Sequence, residues 1–170
     1  MTEVGFSLGS NVGDKQSHIA HALDMLFGGK DVRFLAASSF YRTPPWGFED
    51  QEWFVNACAV GETELAPAAL LARAKAVEEA LGREKTFRWG PRLIDVDILY
   101  YGDAEVATAT PDLAIPHREL FNRAFVLTPL AEIRPDLVLA GRRIADEAAR
   151  QTETLEAVAP PWRPSDARDS

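Results

Sequence analysis

The chain has 170 residues and a single cysteine, Cys58. One thiol permits no internal disulfide and excludes a zinc site built from several cysteines. The sequence also lacks a run of about 18 apolar residues, the length that a membrane-spanning helix needs. Its N-terminus lacks the basic and apolar regions of a secretory signal. We therefore expect a cytoplasmic protein without a membrane partner.

Basic residues are also scarce, with 18 Lys and Arg against 26 Asp and Glu and a formal net charge of −8. A negative overall field repels nucleic acid and anionic membranes, so neither is expected as a partner. A ligand that carries phosphate must then be met by a local cluster of basic side chains. The places where positive charge gathers are therefore informative.

Length and composition favour one folded domain. The hydrophobic fraction of 46% and the charged fraction of 26% are ordinary for a globular protein, and a chain of this length can bury a core of its own. We place the domain at residues 1–158 and expect a disordered, polar tail over residues 159–170. We expect the protein to be a monomer.

Strand and helix patterns alternate along the chain without a strict βαβ period. Strands are predicted at 4–8, 32–41, 53–62 and 93–101, with a further pair near Val106 and Leu113. Helices are predicted from an Asp14 cap to Phe27, from Pro67 to Gly82, and within 119–133 and 144–156. These elements favour an α+β fold, with helices packed on the faces of a sheet.

Two carboxylates stand in an apolar strand, in the sequence LIDVDILYY. Asp95 and Asp97 are two residues apart, so both side chains leave the same face, about 7 Å apart. At an effective dielectric of about 20 their repulsion is of order 2 kcal/mol, which a cation or solvent must relieve. Mg²⁺ takes one or two carboxylates and completes its shell with water and phosphate oxygens. The alternative is a charged pair that protects an exposed sheet edge, although the flanking apolar residues favour a buried central strand.

Positive charge is concentrated directly before this strand, in GREKTFRWGPR. Arginine binds phosphate through paired hydrogen bonds, and lysine adds a compact charge. Such a loop alone is more often a solvated surface, but beside two aspartates it predicts a site for MgATP. Further along, His117 and Arg123 are candidates for phosphate contacts, and the alternative for His117 is a helix-start residue without chemistry.

Familiar phosphate-binding signatures are missing. The segment SLGSNVGD has neither the GK[ST] ending of a P-loop nor the spacing of a dinucleotide fingerprint, which disfavours a P-loop kinase. The residues favour a magnesium-dependent transferase of a phosphate-containing group. They leave open a kinase that moves only the γ-phosphate, and a non-catalytic module that binds nucleotide or RNA.

Six motifs follow one another between about Val4 and Pro135: FSLGSNVGD, SSFYRTPPWG, FVNACAV, GRxxxxRWGPRLIDVDILYYG, IPH and NRAFVLTPLAEI. With this ordered set the chain closely resembles the 6-hydroxymethyl-7,8-dihydropterin pyrophosphokinases of the folate pathway. The resemblance implies a ferredoxin-like α+β fold with a mainly antiparallel sheet. It also implies transfer of the β,γ-diphosphate of ATP to the hydroxymethyl oxygen of the pterin, with AMP leaving.

The resemblance further implies roles for individual residues. Asp95 and Asp97 would bind two Mg²⁺ ions with ATP and would act with Arg83 and Arg92 as the catalytic residues. The implied ATP-binding residues are Leu71, Arg83, Lys85, Trp89, Arg92, Ile98, His117 and Arg123. The implied pterin-binding residues are Thr43, Pro44, Trp46, Phe54, Asn56 and Phe125, with the two phenylalanines on the two faces of the ring. Glu78 also matches a position of the family pattern, and the irregular segments 43–52 and 83–92 are expected to close over the substrates.

Overall fold

A six-stranded sheet forms the centre of the protein, in a computed structural model that describes residues 1–43, 53–82 and 93–164. The elements in chain order are β1 (Thr2–Ser10), α1 (Lys15–Phe27), β2 (Val32–Ala37), β3 (Phe40–Thr43), β4 (Phe54–Thr63), α2 (Pro67–Gly82), β5 (Asp95–Tyr101), β6 (Val106–Thr108), β7 (Leu113–Ile115), a 3-10 helix (Leu120–Asn122), α3 (Ala124–Ile133), β8 (Val138–Leu139), β9 (Arg142–Arg143), α4 (Ile144–Ala149) and β10 (Glu156–Ala159). The strand order is β10-β3-β4-β1-β5, and β2 also pairs with β4. The pairings described within this sheet are antiparallel, which confirms the predicted α+β class.

The two faces of the sheet bury different sets of side chains. In β1, alternate residues Val4, Phe6 and Leu8 are fully buried in a core that α1 and α2 cover. The opposite face packs against α3 and includes Cys58 of β4. Helices thus lie on both faces, and the polar residues of β1 and β4 on the α3 side are free to line a site.

The two longest helices begin where their sequences predict. The side chain of Asp14 caps α1 by accepting a hydrogen bond from the main-chain N–H of Ser17 at 3.3 Å. Pro67 is the first residue of α2, where its missing N–H costs no helical hydrogen bond. The predicted start of this helix is confirmed, and α2 is described as far as Gly82, the last residue before the part of the chain that the structure does not describe.

The strand predicted over 32–41 is divided into β2 and β3. Ser38 Oγ accepts a hydrogen bond from the main-chain N–H of Cys58 at 2.9 Å, and it donates one to the carbonyl of Ser39 at 2.8 Å. The main-chain N–H of Ser39 donates to the carboxylate of Glu132 on α3 at 3.1 Å. These side chains satisfy main-chain groups that a continuous ladder would otherwise pair, so the strand breaks here.

The expectation that Asp95 and Asp97 stand on a central strand is wrong, because β5 lies at one end of the sheet formed by the described strands. Its apolar residues are nevertheless buried, with Ile98 at 4% exposure. The free edge is covered by side-chain and main-chain contacts: Glu78 Oε2 accepts a hydrogen bond from the N–H of Val96 at 2.9 Å, and the N–H of His117 donates to the carbonyl of Leu99 at 2.9 Å. An apolar strand sequence therefore reflects burial here, not a central position.

The C-terminal segment differs from the expected disordered tail. Strand β10 pairs with β3, and Trp162 is only 7% exposed in the core beside α1. The polar and proline-rich composition suggested disorder, but one large aromatic side chain provides enough apolar area to hold the segment. Residues 165–170 lie outside the described part of the chain. Among the helices of the described ranges, none is both long and apolar enough to cross a membrane.

Candidate active site

The antiparallel pairing of β5 with β1 positions the two aspartates. Asp97 lies opposite Ser7, and Asp95 lies opposite Gly9, so the two carboxylates are on the same face of the sheet, as their spacing predicts. Asp95 is exposed and Asp97 is half-buried. Both line each of two neighbouring pockets, which makes them the boundary between these pockets.

The first pocket, here called the aromatic pocket, has a volume of about 380 Å³. Strands β1, β3, β4 and β5 and the start of α3 contribute its lining. The lining residues are Ser7, Gly9, Thr43, Phe54, Asn56, Asp95, Asp97, Arg123 and Phe125. The structure thus brings together four residues that the resemblance assigns to the pterin: Thr43, Phe54, Asn56 and Phe125.

A buried hydrogen bond orients the polar wall of the aromatic pocket. Thr43 Oγ1 donates to Asn56 Oδ1 at 2.8 Å, and the two residues are 2% and 4% exposed. Gly9 makes room for the amide, because a Cβ at this position would lie 2.6 Å from Asn56 Nδ2. The arrangement fixes the amide with its oxygen toward Thr43 and its nitrogen over Gly9. Asn56 can therefore present a fixed set of donors and acceptors to a flat polar ring.

Phe54 and Phe125 approach the aromatic pocket from different elements, the start of β4 and the first turn of α3. Arg123, which precedes α3, holds its guanidinium carbon 5.4 Å from the centroid of the Phe125 ring. This distance is within the range of a cation–π contact. Arg123 thus lines the aromatic pocket together with the two aspartates. Its contact with phosphate remains a prediction.

The second pocket has a volume of about 330 Å³ and lies between β5, α2 and the segment that follows β7. Its lining residues are Leu71, Lys75, Glu78, Asp95, Val96, Asp97, Ile98, Asp112, Leu113, Ala114, His117, Arg118 and Glu119. Three of the residues predicted for ATP, Leu71, Ile98 and His117, therefore share one pocket. Apolar Leu71, Val96, Ile98 and Leu113 stand beside charged groups in it, so the pocket can contact an apolar ring and a charged group at the same time.

The imidazole of His117 is held in one tautomer. Its Nδ1 accepts a hydrogen bond from the main-chain N–H of Glu119 at 3.1 Å. Burial lowers the pKa of His117, although the neighbouring Asp97 acts in the opposite direction. In the neutral ring, this hydrogen bond places the proton on Nε2. His117 can donate that proton in a hydrogen bond to an anionic oxygen without carrying a full charge.

Sequence reasoning missed several lining residues. Lys75 was not predicted, although it follows the predicted Leu71 by four residues on α2 and precedes Glu78 by three, a spacing that puts all three on the face toward the second pocket. The resemblance gives Glu78 only as a family position, and in the structure Glu78 accepts a main-chain hydrogen bond from β5. Ser7 and Gly9 could not be found from local sequence, since only the pairing of β1 with β5 puts them beside the aspartates.

Six predicted site residues lie outside the described part of the chain: Pro44, Trp46, Arg83, Lys85, Trp89 and Arg92. Segments 43–52 and 83–92, which are expected to close over the substrates, also lie outside the described part of the chain except for residue 43. Their roles remain predictions from the resemblance.

The two aspartates fit a magnesium ion better than a metal with many protein ligands. Among the described residues, no group of three or more His, Cys, Asp and Glu side chains could hold a metal ion. Mg²⁺ commonly uses one or two carboxylates and takes its other ligands from water and substrate phosphate. A carboxylate pair shared by two pockets provides part of such a coordination shell and leaves the remaining positions to water and substrate.

The protein is an α+β protein of the ferredoxin-like class, with two pockets that meet at paired carboxylates. A solved structure of Plasmodium falciparum HPPK-DHPS with pteroate matches 88% of this chain with a TM-score of 0.72 at 14% identity. An HPPK-DHPS structure in complex with substrates matches 87% of it with a TM-score of 0.68. The present chain spans 42% and 44% of the length of those two chains, so the likeness concerns one part of each.

Sequence comparison identifies the family. The model of 7,8-dihydro-6-hydroxymethylpterin-pyrophosphokinase (HPPK) matches residues 5–135. The 2-amino-4-hydroxy-6-hydroxymethyldihydropteridine pyrophosphokinase of Methylorubrum extorquens is 47% identical over 150 residues, which cover 88% of this chain and 94% of the relative. The enzyme of the same name from Aquifex aeolicus is 41% identical over 138 residues, covering 81% and 84%. The chain belongs to the HPPK family, and its activity is the pyrophosphokinase reaction of folate biosynthesis.

Proposed function

We propose that the aromatic pocket holds 6-hydroxymethyl-7,8-dihydropterin, that the second pocket holds ATP, and that Asp95 and Asp97 hold Mg²⁺ between them. One observation carries this assignment: both aspartates line both pockets. The reaction transfers a diphosphate from one substrate to the other. The groups that bind the metal and neutralise phosphate charge must therefore lie close to both substrates. A carboxylate pair at the boundary of the pockets meets this requirement.

The lining of the aromatic pocket supports the pterin assignment. Phe54 and Phe125 offer ring faces on which a flat heterocycle gains contact area. The buried pair of Thr43 and Asn56 offers oriented hydrogen-bonding groups at the pocket wall. A pterin needs both, because its faces are aromatic and its edge carries several donors and acceptors.

The second pocket supports the ATP assignment. Leu71 and Ile98 provide apolar contacts for an adenine ring, and Lys75 brings positive charge to the pocket, while Arg118 is paired with Asp112 at 3.0 Å. Neutral His117 would donate from Nε2 to a phosphate oxygen near Asp97. The proposed contacts of Arg83, Lys85, Trp89 and Arg92 with ATP, and of Pro44 and Trp46 with the pterin, rest on the resemblance alone.

The chemistry requires alignment and charge neutralisation more than a strong base. The hydroxymethyl oxygen bonds to the β-phosphorus of ATP as the bond from that phosphorus to the α,β-bridging oxygen breaks, and AMP leaves with the bridging oxygen. The hydroxyl proton is released to water in the same reaction. Bound Mg²⁺ would neutralise phosphate charge and increase the acidity of the hydroxyl, and we propose two such ions. Asp95 and Asp97 would bind the ions, while Arg83 and Arg92 would stabilise the negative charge of the diphosphate as it is transferred.

We also propose that a single domain from residue 1 to at least residue 158 performs the reaction as a monomer, because one chain provides the described lining of both pockets. Light scattering should then give a mass near 18.7 kDa. A mass of twice that value in the presence of both substrates would contradict the monomer. The cytoplasmic location remains a prediction.

Product analysis tests the reaction itself. The purified protein is incubated with MgATP and 6-hydroxymethyl-7,8-dihydropterin, and the nucleotides are separated. We expect AMP and pterin diphosphate to form in equal amounts, with formation stopped by EDTA and restored by added Mg²⁺. ADP would instead indicate a γ-phosphate kinase, and ATP binding without turnover would indicate a binding module.

A further inference from the structure

The last described segment of the chain crosses from the pterin side of the sheet to α1. We name residues 156–162 the C-terminal strap. Its first part is β10, which pairs with β3 at Glu156 with Arg42 and at Ala157 with Tyr41. Since β10 is the outermost strand at this end of the sheet, it covers the edge that β3 would otherwise expose.

The end of the strap is anchored in the core by Trp162. Its ring stacks on Phe27 with centroids 6.0 Å apart, and it meets Phe34 edge-on at 5.2 Å. Its Nε1 donates a hydrogen bond to Asp24 Oδ1 on α1 at 3.2 Å. At 7% exposure this is a strongly buried side chain, and large aromatic contacts of this kind hold chain segments in place.

At its first residue, Glu156, the strap touches a residue that neighbours the aromatic pocket. Arg42 forms an ion pair with Glu156 at 4.0 Å, and its guanidinium lies 3.7 Å from the centre of the Trp53 ring. Arg42 directly precedes Thr43, and Trp53 directly precedes Phe54, so the stacked pair joins the ends of β3 and β4 at the pocket. Thr43 and Phe54 are also paired in the strand register.

We propose that the C-terminal strap positions the pterin pocket, with Trp162 as the positioning residue. The strap holds β3 against β4, and this pairing sets the position of Thr43 relative to Asn56. The inference rests on the proposed assignment of the aromatic pocket to the pterin. Trp162 itself touches neither pocket and acts through β10 and β3.

The sheet order makes the effect selective. Strand β5, which contributes Asp95, Asp97 and Ile98, is separated from β3 by β4 and β1. Displacement of β3 should therefore disturb the pterin side and leave the second pocket in place. A role in overall stability alone would affect both substrates equally or neither.

Steady-state kinetics on Trp162→Ala test this proposal. We expect the KM for the pterin to rise about tenfold or more, because small displacements of positioning groups have large effects on reaction geometry, while the KM for ATP changes less than about twofold. Trp162→Phe keeps the aromatic contacts and should restore most of the pterin affinity. Arg163→Ala, an exposed neighbour on the same segment, is the matched control and should behave like the wild type.

Hydrogen exchange on the ligand-free protein provides a second readout. In Trp162→Ala, exchange should rise in the strap and in β3 and remain unchanged in β5. If Trp162→Ala does not fold, Trp162→Leu, which keeps apolar volume but loses the ring and its N–H, is measured in the same way. Equal changes in both KM values, or faster exchange in the strap with no change in β3 or in the pterin KM, would overturn the proposal. Absence of turnover in the wild type would contradict the proposed function, and the exchange comparison would still decide whether the strap holds β3.

Discussion

At the scale of single residues, the proposed site depends on Asp95 and Asp97, because both pockets share these two acidic side chains. We predict that Asp95→Asn and Asp97→Asn each lower kcat/KM by about 10²-fold or more, since each removes a negative ligand from the proposed metal site. The melting temperature should stay close to that of the wild type, because neither carboxylate belongs to the apolar core.

Asp103→Asn is the matched control for both substitutions, since Asp103 is an exposed aspartate just beyond the other end of β5. Initial rates at saturating Mg²⁺ and circular dichroism melts provide the comparison. Near wild-type rates in either site variant would remove that residue from the proposed metal site.

The Thr43–Asn56 hydrogen bond leads to a second residue-scale prediction. Thr43→Val keeps the shape of the side chain but leaves the buried Asn56 Oδ1 without its described donor. We expect a loss of about 1–3 kcal/mol in the free energy of unfolding, as for other buried groups left unpaired, together with weaker pterin binding. Urea titration and pterin KM measure the two effects.

Thr108→Val is the control for that loss, because Thr108 Oγ1 donates to the carbonyl of Pro111 in an exposed hairpin where water can replace the bond. Its free energy of unfolding should change much less. A similar cost for both variants would show that burial of the Thr43 bond has no special effect.

At the scale of elements, the buried carboxylate of Glu147 ties α4 to β9, in addition to the apolar packing of Ile144 against the core. Glu147 is 3% exposed and accepts hydrogen bonds from Arg142 at 2.7 and 3.0 Å and from Arg150 at 2.8 Å. The hydrogen bonds from Arg142 hold the pKa of Glu147 below its ordinary value of 4.5. A carboxyl whose pKa is lower in the folded state stabilises the fold above its ordinary pKa, and the contribution is lost as the pH falls through the folded pKa.

We therefore predict that Glu147→Gln lowers the melting temperature at pH 7 and that its difference from the wild type shrinks progressively below about pH 4.5. Thermal melts from pH 7 to pH 3 measure this. Asp146→Asn is the control, since Asp146 pairs with Arg143 on the surface, where ion pairs contribute little. A constant difference between Glu147→Gln and the wild type over the whole pH range would contradict the prediction.

For the molecule as a whole, Cys58 provides a probe of global unfolding. It lies in the core on the α3 face with 0% exposure, and its thiol contacts the carbonyl of Val126 at 3.5 Å. Burial raises the pKa of Cys58, so the reactive thiolate is suppressed as well as inaccessible. We predict that a thiol reagent labels one site per chain in denaturant and essentially none in native buffer.

The labelling rate at low denaturant should follow the unfolding equilibrium measured by circular dichroism. Fast stoichiometric labelling of the native protein would show instead that the core around β4 opens locally. The measurement requires no mutation, because the sequence has only this one cysteine.

Local features determined the extent of individual elements and the chemistry of the site. The Asp14 cap, Pro67 and the spacing of apolar residues set the bounds of α1 and α2, because these signals act within one or two helical turns. The spacing of Asp95 and Asp97 put both carboxylates on one face, since side chains alternate along any strand. The family motifs added the substrates, which residue spacing alone could not select.

Tertiary structure decided which of these elements meet. The edge position of β5, the contact of Gly9 with Asn56 and the pairing of β10 with β3 all depend on strand neighbours far apart in sequence. The polar composition after residue 158 concealed the role of Trp162, whose partners Phe27 and Phe34 lie more than a hundred residues earlier. Strand order and register are chosen by how whole faces bury together, so no local pattern specifies them.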